Sequence, residues 1–213
     1  MSAPQERTDW HAFGVACTMA FLAGATDVCG LAKLHDLFVS FMSGNTTMLG
    51  VALARHDVER FATIAGVIGL FVTGVSLGTV VAVLAHRRHM AAVSLAVGIL
   101  LLVPLRWPAA TTACLTLAMG ALNAAMQRAG ATGVSLTYVT GTLVKFGRGL
   151  GELACGRRDD PSWSLNGLLW SSLLAGAVTM TAVQTVLGAD TLWPLPLMAL
   201  LIAAITATSP ERA

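Results

Sequence analysis

Long apolar runs fill nearly the whole chain, and short polar or proline-containing stretches separate them. A helix needs roughly 20 mostly apolar residues to cross about 30 Å of hydrocarbon. The pattern therefore predicts an all-α, polytopic transmembrane helical bundle with six to eight membrane segments. Charges, Pro and Gly mark eight apolar segments. They cover about Ala12–Leu34, Leu37–Ala54, Phe61–Ala85, Met90–Leu105, Ala109–Gln127, Val134–Ala154, Leu165–Leu187 and Leu192–Ala207.

The composition agrees with this pattern. Hydrophobic residues make up 55% of the 213 residues and charged residues only 11%, whereas a soluble domain carries about 25% charged residues. So few charges cannot coat a surface that faces water. We expect a single integral membrane domain in contact with the lipid bilayer. The net charge of +2 gives no reason to expect nucleic acid as a partner.

The two halves of the chain resemble each other. Similar residues recur in the same order at a spacing that drifts from 96 to 98 residues, as small insertions in the connections would produce. The pairs are Gly24–Asp27 with Gly120–Asn123, Phe41–Thr46 with Tyr138–Leu143, and Gly78 with Gly176. The series predicts two internal repeats, at about 12–107 and 108–207.

The second and sixth segments, Leu37–Ala54 and Val134–Ala154, decide the topology because each has a small, polar centre. If both cross fully, each repeat has four spans and the repeats are parallel; if both are re-entrant, each has three and they are inverted. Both segments reach roughly the required length, which favours full crossing. Basic residues are in excess on the amino-terminal side in either case, so the positive-inside rule predicts cytoplasmic termini without choosing between them.

A carboxylate lies inside the first segment, at Asp27, where insertion scales put its cost at about 2.5 to 3.5 kcal/mol. Such a residue normally faces a cavity or a partner, so one interpretation is a proton or cation site. The alternative is that the segment ends near Ala25 and Asp27 caps it at the interface. Asn123 is the counterpart of Asp27, and the two could line a common cavity or serve only in interhelical hydrogen bonding.

Gly44, Asn45 and Thr46 weaken the second segment as a helix, because Asn and Thr compete for backbone hydrogen bonds and glycine lowers helix propensity. Transporters place substrate sites at broken helices, at matching positions in two repeats. Thr140 and Thr142 hold the matching positions in the sixth segment. The alternative is tight packing through small residues, with the polar side chains joining helices.

Lys145 and Arg148 follow the second predicted break and share a helix face. They could bind an anion, pair with Asp27 or Glu152, or extend to the lipid headgroups. The full set of candidate substrate- or ion-binding residues is Asp27, Asn45, Thr46, Asn123, Thr140, Thr142 and Lys145.

Catalytic patterns are weak. The residues around Ser76 match G-x-S-x-G, but a nucleophile elbow needs a strand before the serine and a helix after it, and this serine lies within an apolar segment. The histidines all lie at segment ends or in loops, and the four cysteines form no CxxC pair. We expect no catalytic residue, no cofactor and no metal site.

Residues Gly24 to Thr47 resemble the YoaK-like family of bacterial multi-pass membrane proteins. That family has a Gly-x-x-Asp step and then a Phe-rich approach to Met-Thr-Gly-Asn-Thr. This chain has Gly24–Asp27 and Met42–Thr46, with Ser43 in place of the usual threonine. The family has no assigned function, so the resemblance implies a bacterial cytoplasmic-membrane protein for which transport is the expected role.

Together these features predict a small secondary transporter or permease with its polar site at the repeat interface and a small molecule or ion as substrate. Two other classes stay open: an intramembrane enzyme, and a membrane assembly or structural protein without a substrate. A chain this small is also compatible with a homodimer.

Overall fold

The computed structural model describes residues 10–34, 36–128, 139–156 and 162–208. These residues form eight α-helices, and none of them lies in a strand. The helices are α1 (Trp10–Lys33), α2 (Met42–Ala54), α3 (Val58–Ala85), α4 (His89–Arg106), α5 (Thr111–Arg128), α6 (Val139–Ala154), α7 (Ser162–Leu187) and α8 (Pro194–Thr208). Each predicted segment contains one helix, which confirms the all-α bundle.

Four continuous helical stretches are long and apolar enough to cross a membrane: Trp10–Lys33, Val58–Arg106, Pro108–Met126 and Trp163–Leu187. The second stretch contains both α3 and α4, joined by a short 3-10 turn. The apolar helix α8 is shorter, at 15 residues. Large apolar side chains on α3 and α7, such as Leu84 and Val186, are exposed, as expected for surfaces that face lipid.

The helices α1 and α5 each contribute more buried apolar residues to the core than any other helix in the described part of the chain, and they pack against each other. Around them, α3 packs most extensively on α5, α7 on α1, and α4 on α8. Among the described residues, the two short helices α2 and α6 pack extensively only on the helix that follows each, α3 and α7 respectively.

Glycines allow α7 to approach α1, and α3 to approach α5, until backbone meets backbone. A Cβ atom added to Gly24 of α1 would overlap the carbonyl of Leu173 on α7, and one added to Gly120 of α5 would overlap the carbonyl of Phe71 on α3. No flexible side chain can move aside at either point. We call these two contacts the glycine crossings; close approach through small residues is a common way to join helices in membranes.

The second segment is broken, as predicted, but the break precedes its polar centre. Leu37–Phe41 is non-helical, and α2 begins at Met42, so Gly44 and Asn45 lie in its first turns. The 13-residue α2 is about 20 Å long, which is too short to cross the hydrocarbon alone. The predicted segment Leu37–Ala54 reaches roughly the length needed to cross the membrane, but only part of it forms a continuous helix.

The sixth segment also contains a short helix, the 16-residue α6. Positions 134–138 of that segment, which include part of its predicted polar centre, lie outside the described residues. Thr140 and Thr142 lie in the first turn of α6.

Candidate functional site

The carboxylate of Asp27 holds the non-helical segment Leu37–Phe41 against α1. The backbone N–H groups of Val39 and Ser40 donate to Asp27 Oδ1 at 2.9 and 2.8 Å. The Ser40 hydroxyl donates to Asp27 Oδ2. Because Asp27 captures two successive N–H groups, these residues cannot use them in a helix, which explains why the break lies here. We call this arrangement of Asp27, Val39 and Ser40 the Asp27 clamp.

Asn45 of α2 holds the same segment from its other end. Its Oδ1 accepts from the N–H of Phe38 at 3.1 Å, and its Nδ2 donates to the Phe38 carbonyl at 2.7 Å. Both backbone groups of Phe38 are thus paired with one amide side chain, as buried backbone groups require. Asn45 itself is fully buried.

Small residues let this segment lie close to the helices. A Cβ atom on Gly30 of α1 would lie 2.7 Å from a methyl group of Val39, and one on Gly44 would lie 2.8 Å from the Phe41 ring. The rings of Phe38 and Phe41 meet edge to face with centroids 5.6 Å apart. The non-helical backbone is therefore enclosed by protein, which is the condition for such backbone at membrane depth.

Asp27 forms no ion pair within the described residues. The nearby basic residue on α1, Lys33, pairs instead with Asp190 in the turn before α8. Asp27 lies inside the spanning helix α1, 12 and 13 residues before its two backbone donors. Within the described residues, the hydrogen bonds that its carboxylate accepts come from neutral donors alone.

Three of the other candidates donate a hydrogen bond to a carbonyl of their own helix. Thr46 donates to the Met42 carbonyl at 2.8 Å, Thr142 to the Val139 carbonyl at 2.7 Å, and Asn123 to the Met119 carbonyl at 3.0 Å. Asn123 and Thr142 are buried, whereas Thr46, Thr140 and Lys145 are exposed.

The structure therefore brings together only part of the predicted site. Asp27 and Asn45 meet at Phe38–Ser40, but Thr140, Thr142 and Lys145 lie on α6, which packs extensively only on α7 in the described part. Arg148 is bound to Glu152 at 2.8 Å, one of the two acids considered for it. Phe38, Val39 and Ser40 were not predicted, because backbone donors carry no residue signature; the Ser40 hydroxyl was the only available signal.

Two further polar residues can be placed. Gln184 of α7 donates to Cys29 Sγ of α1 at 3.4 Å, which is an interhelical contact. Ser76 lies on the exposed face of α3 and donates to the Val72 carbonyl. Its position in the middle of a long helix excludes the strand–turn–helix geometry of a nucleophile elbow.

Two comparisons with known proteins identify relatives of this chain. Residues 15–205 match the model of a family described as a protein of unknown function, DUF1275. A UPF0700 transmembrane protein of Rhizobium meliloti (strain 1021) is 36% identical over 200 residues, which cover 93% of this chain and 87% of the relative. No solved structure matches the chain significantly. The expected likeness to an uncharacterised membrane-protein family is confirmed.

Proposed function

Because the chain belongs to the DUF1275 family of membrane proteins of unknown function, we propose from its site that it is a secondary transporter or permease for a small molecule or ion. We place it in a bacterial cytoplasmic membrane with both termini on the cytoplasmic side. The observation that carries the proposal is the Asp27 clamp: an ionisable carboxylate in a spanning helix holds a broken membrane segment.

The chemistry of the clamp favours a role beyond packing. An intramembrane carboxylate costs several kcal/mol, and such residues usually mark ion or proton pathways. A neutral side chain such as Asn could accept the same two N–H bonds with one oxygen. Using a carboxylate adds a group that can gain and lose a proton, and broken segments are where transporters bind substrates and coupling ions.

Protonation of Asp27 would change the clamp directly. The ionised carboxylate accepts at both oxygens, whereas the neutral acid carries an O–H donor on one of them. The bond with the Ser40 hydroxyl would then reverse, with the acid donating to Ser40 Oγ, and the backbone N–H groups of Val39 and Ser40 would face a neutral, weaker acceptor. In the proposed cycle, binding of a proton or cation at Asp27 loosens Leu37–Phe41 and opens the path that this segment covers.

Transport by purified protein in liposomes tests the proposal. A panel of small solutes is screened for flux driven by a proton or sodium gradient, and active solutes are retested with Asp27→Asn. We expect this variant to fold but to lose gradient-driven flux. Asp190→Asn is the matched control, because Asp190 is an exposed acid paired with Lys33, and it should transport normally. Full gradient coupling in Asp27→Asn would remove Asp27 from the mechanism.

A structural role without a substrate is the second candidate. It is favoured by the hydrogen bonds of Thr46 and Thr142 to carbonyls of their own helices. In that case Asp27→Asn and Ser40→Ala would change stability only, and no solute in the panel would be transported. We propose no enzymatic activity, because Ser76 lies on the exposed face of α3 without nucleophile-elbow geometry.

A further inference from the structure

The structural units of this molecule differ from the predicted sequence repeats. The extensive contacts of α3 with α5, and of α1 with α7, both cross the predicted repeat boundary near residue 107. Within the described residues, α1 does not pack extensively on α3, nor α5 on α7. The first helix of each predicted repeat is thus packed on the third helix of the other.

Both glycine crossings use matching positions. Gly24 and Gly120, which are 96 residues apart, each meet the backbone of the partner helix. In return, Gly176 of α7 meets the backbone of Phe21, and Gly74 of α3 meets the backbone of Leu117, again 96 residues after Phe21. The counterpart of Gly176 in packing is therefore Gly74, one helical turn from the predicted counterpart Gly78.

The remaining packing completes two units. In one, α2 packs on α3, α4 packs on α3 and α5, and α8 packs on α4, which joins Met42–Arg128 to Pro194–Thr208. In the other, α6 packs on α7, and α7 packs on α1. Between the units, α1 packs on α5 and α8, less extensively than the helices pack within each unit.

The segment Leu37–Phe41 connects the two units and is bound by both. Asp27, on α1 of one unit, holds Val39 and Ser40. Asn45, on α2 of the other unit, holds Phe38. We infer that the molecule consists of two rigid units, one of α2, α3, α4, α5 and α8 and one of α1, α6 and α7, and that the Asp27 clamp locks the joint between them.

These two units are the parts of the molecule that would move against each other, which the proposed transport function does not specify. Backbone-to-backbone contact at the glycine crossings leaves little freedom within each unit. The units otherwise meet where α1 packs on α5 and α8, and these contacts are less extensive than those within each unit. Release of the clamp lets the units rotate about that interface.

Spin-label distances in full-length protein in lipid nanodiscs test the inference without any substrate. The labels are attached to exposed positions through Leu31→Cys on α1, Val186→Cys on α7 and Leu84→Cys on α3, after Cys17, Cys29, Cys114 and Cys155 are replaced by serine. The 31–186 pair spans the sequence repeats within one unit. The 31–84 pair lies within one sequence repeat but spans the two units.

Adding Asp27→Ala should shift or broaden the 31–84 distance distribution and leave the 31–186 distribution unchanged. A change confined to 31–186 would show that the sequence repeats are the moving bodies, and a change in both would show that the units are not rigid. No change in either would show that the clamp locks nothing. Ser40→Ala, which removes one clamp bond, replaces Asp27→Ala if that variant does not fold. Because no solute is used, these outcomes can be interpreted even if the transport assay fails.

Discussion

The glycine crossings and the Asp27 clamp hold neighbouring parts of the bundle by opposite means. At the crossings, the backbones of α1 and α7, and of α3 and α5, touch through glycine without any titratable group. At the clamp, a single carboxylate accepts three hydrogen bonds from a non-helical segment. The crossings contain no group that can gain or lose a proton, whereas the clamp contains one, and we propose that its hydrogen bonds change when that group binds a proton.

The difference teaches where rigidity and change are located in a small membrane protein. Close packing without polar groups gives fixed units, because interiors transmit strain rather than deform. Polar contacts to backbone are strong only while every partner is present, since an unsatisfied buried group is costly. We therefore expect substitutions at the crossings to remove the folded protein, and substitutions at the clamp to change its behaviour first.

The largest effect should follow Gly24→Leu. A side chain at this position overlaps the Leu173 carbonyl, which is backbone and cannot move aside without separating the helices, so the loss should exceed the about 1–3 kcal/mol typical of overpacking and prevent folding. The yield of monodisperse protein and its Tm in detergent measure it. Gly14→Leu on the same helix is the control, because nothing lies within 4 Å of a Cβ there. Equal behaviour of the two variants would contradict the crossing.

Asp27→Ala should have the next largest effect on stability. It leaves the N–H groups of Val39 and Ser40 without their acceptor, at about 1–3 kcal/mol for each buried group left unpaired. Asp27→Asn keeps one carbonyl oxygen for both N–H groups, so its Tm should lie between those of Asp27→Ala and the wild type. If Asp27→Asn is as unstable as Asp27→Ala, charge rather than hydrogen bonding holds the segment.

Asn45→Ala and Thr46→Ala compare a residue of α2 that holds the segment Leu37–Phe41 with its exposed neighbour. Asn45 pairs with both backbone groups of Phe38, while Thr46 is exposed and donates only to its own helix in the contacts seen. Thermal unfolding should show a clear decrease in Tm for Asn45→Ala and almost none for Thr46→Ala. The reverse order would show that the exposed face of α2, and not Asn45, makes the stabilising contact.

Much of the fold follows from the sequence, because the distribution of apolar residues and their interruptions is a local property. All eight helices lie where the segments were predicted, and breakers such as Pro108 separate them. Asp27 and Asn45 were predicted as site candidates, Asp27 from the cost of a carboxylate in a membrane and Asn45 from its weakening of a helix. The family resemblance pointed to the same residues.

Partners could not be predicted in the same way. The clamp joins Asp27 to backbone N–H groups of Val39 and Ser40, and a backbone donor is present at nearly every residue. The predicted match of Gly78 with Gly176 was also one helical turn away from the packing, in which Gly74 is the counterpart of Gly176. Apolar segments with several glycines offer more than one alignment. Pairing of α1 with α7 depends on packing between distant segments, which periodicity does not report.

Hydrogen–deuterium exchange in nanodiscs compares the clamp and a crossing within one molecule. Peptides covering residues 37–41 and residues 19–26 are followed in the wild type and in Asp27→Ala. We expect the variant to exchange faster at the N–H groups of 37–41, because Val39 and Ser40 lose their acceptor, while 19–26 stays as protected as in the wild type. Unchanged protection at 37–41, or equal loss in both peptides, would contradict a clamp that releases one segment between two rigid units.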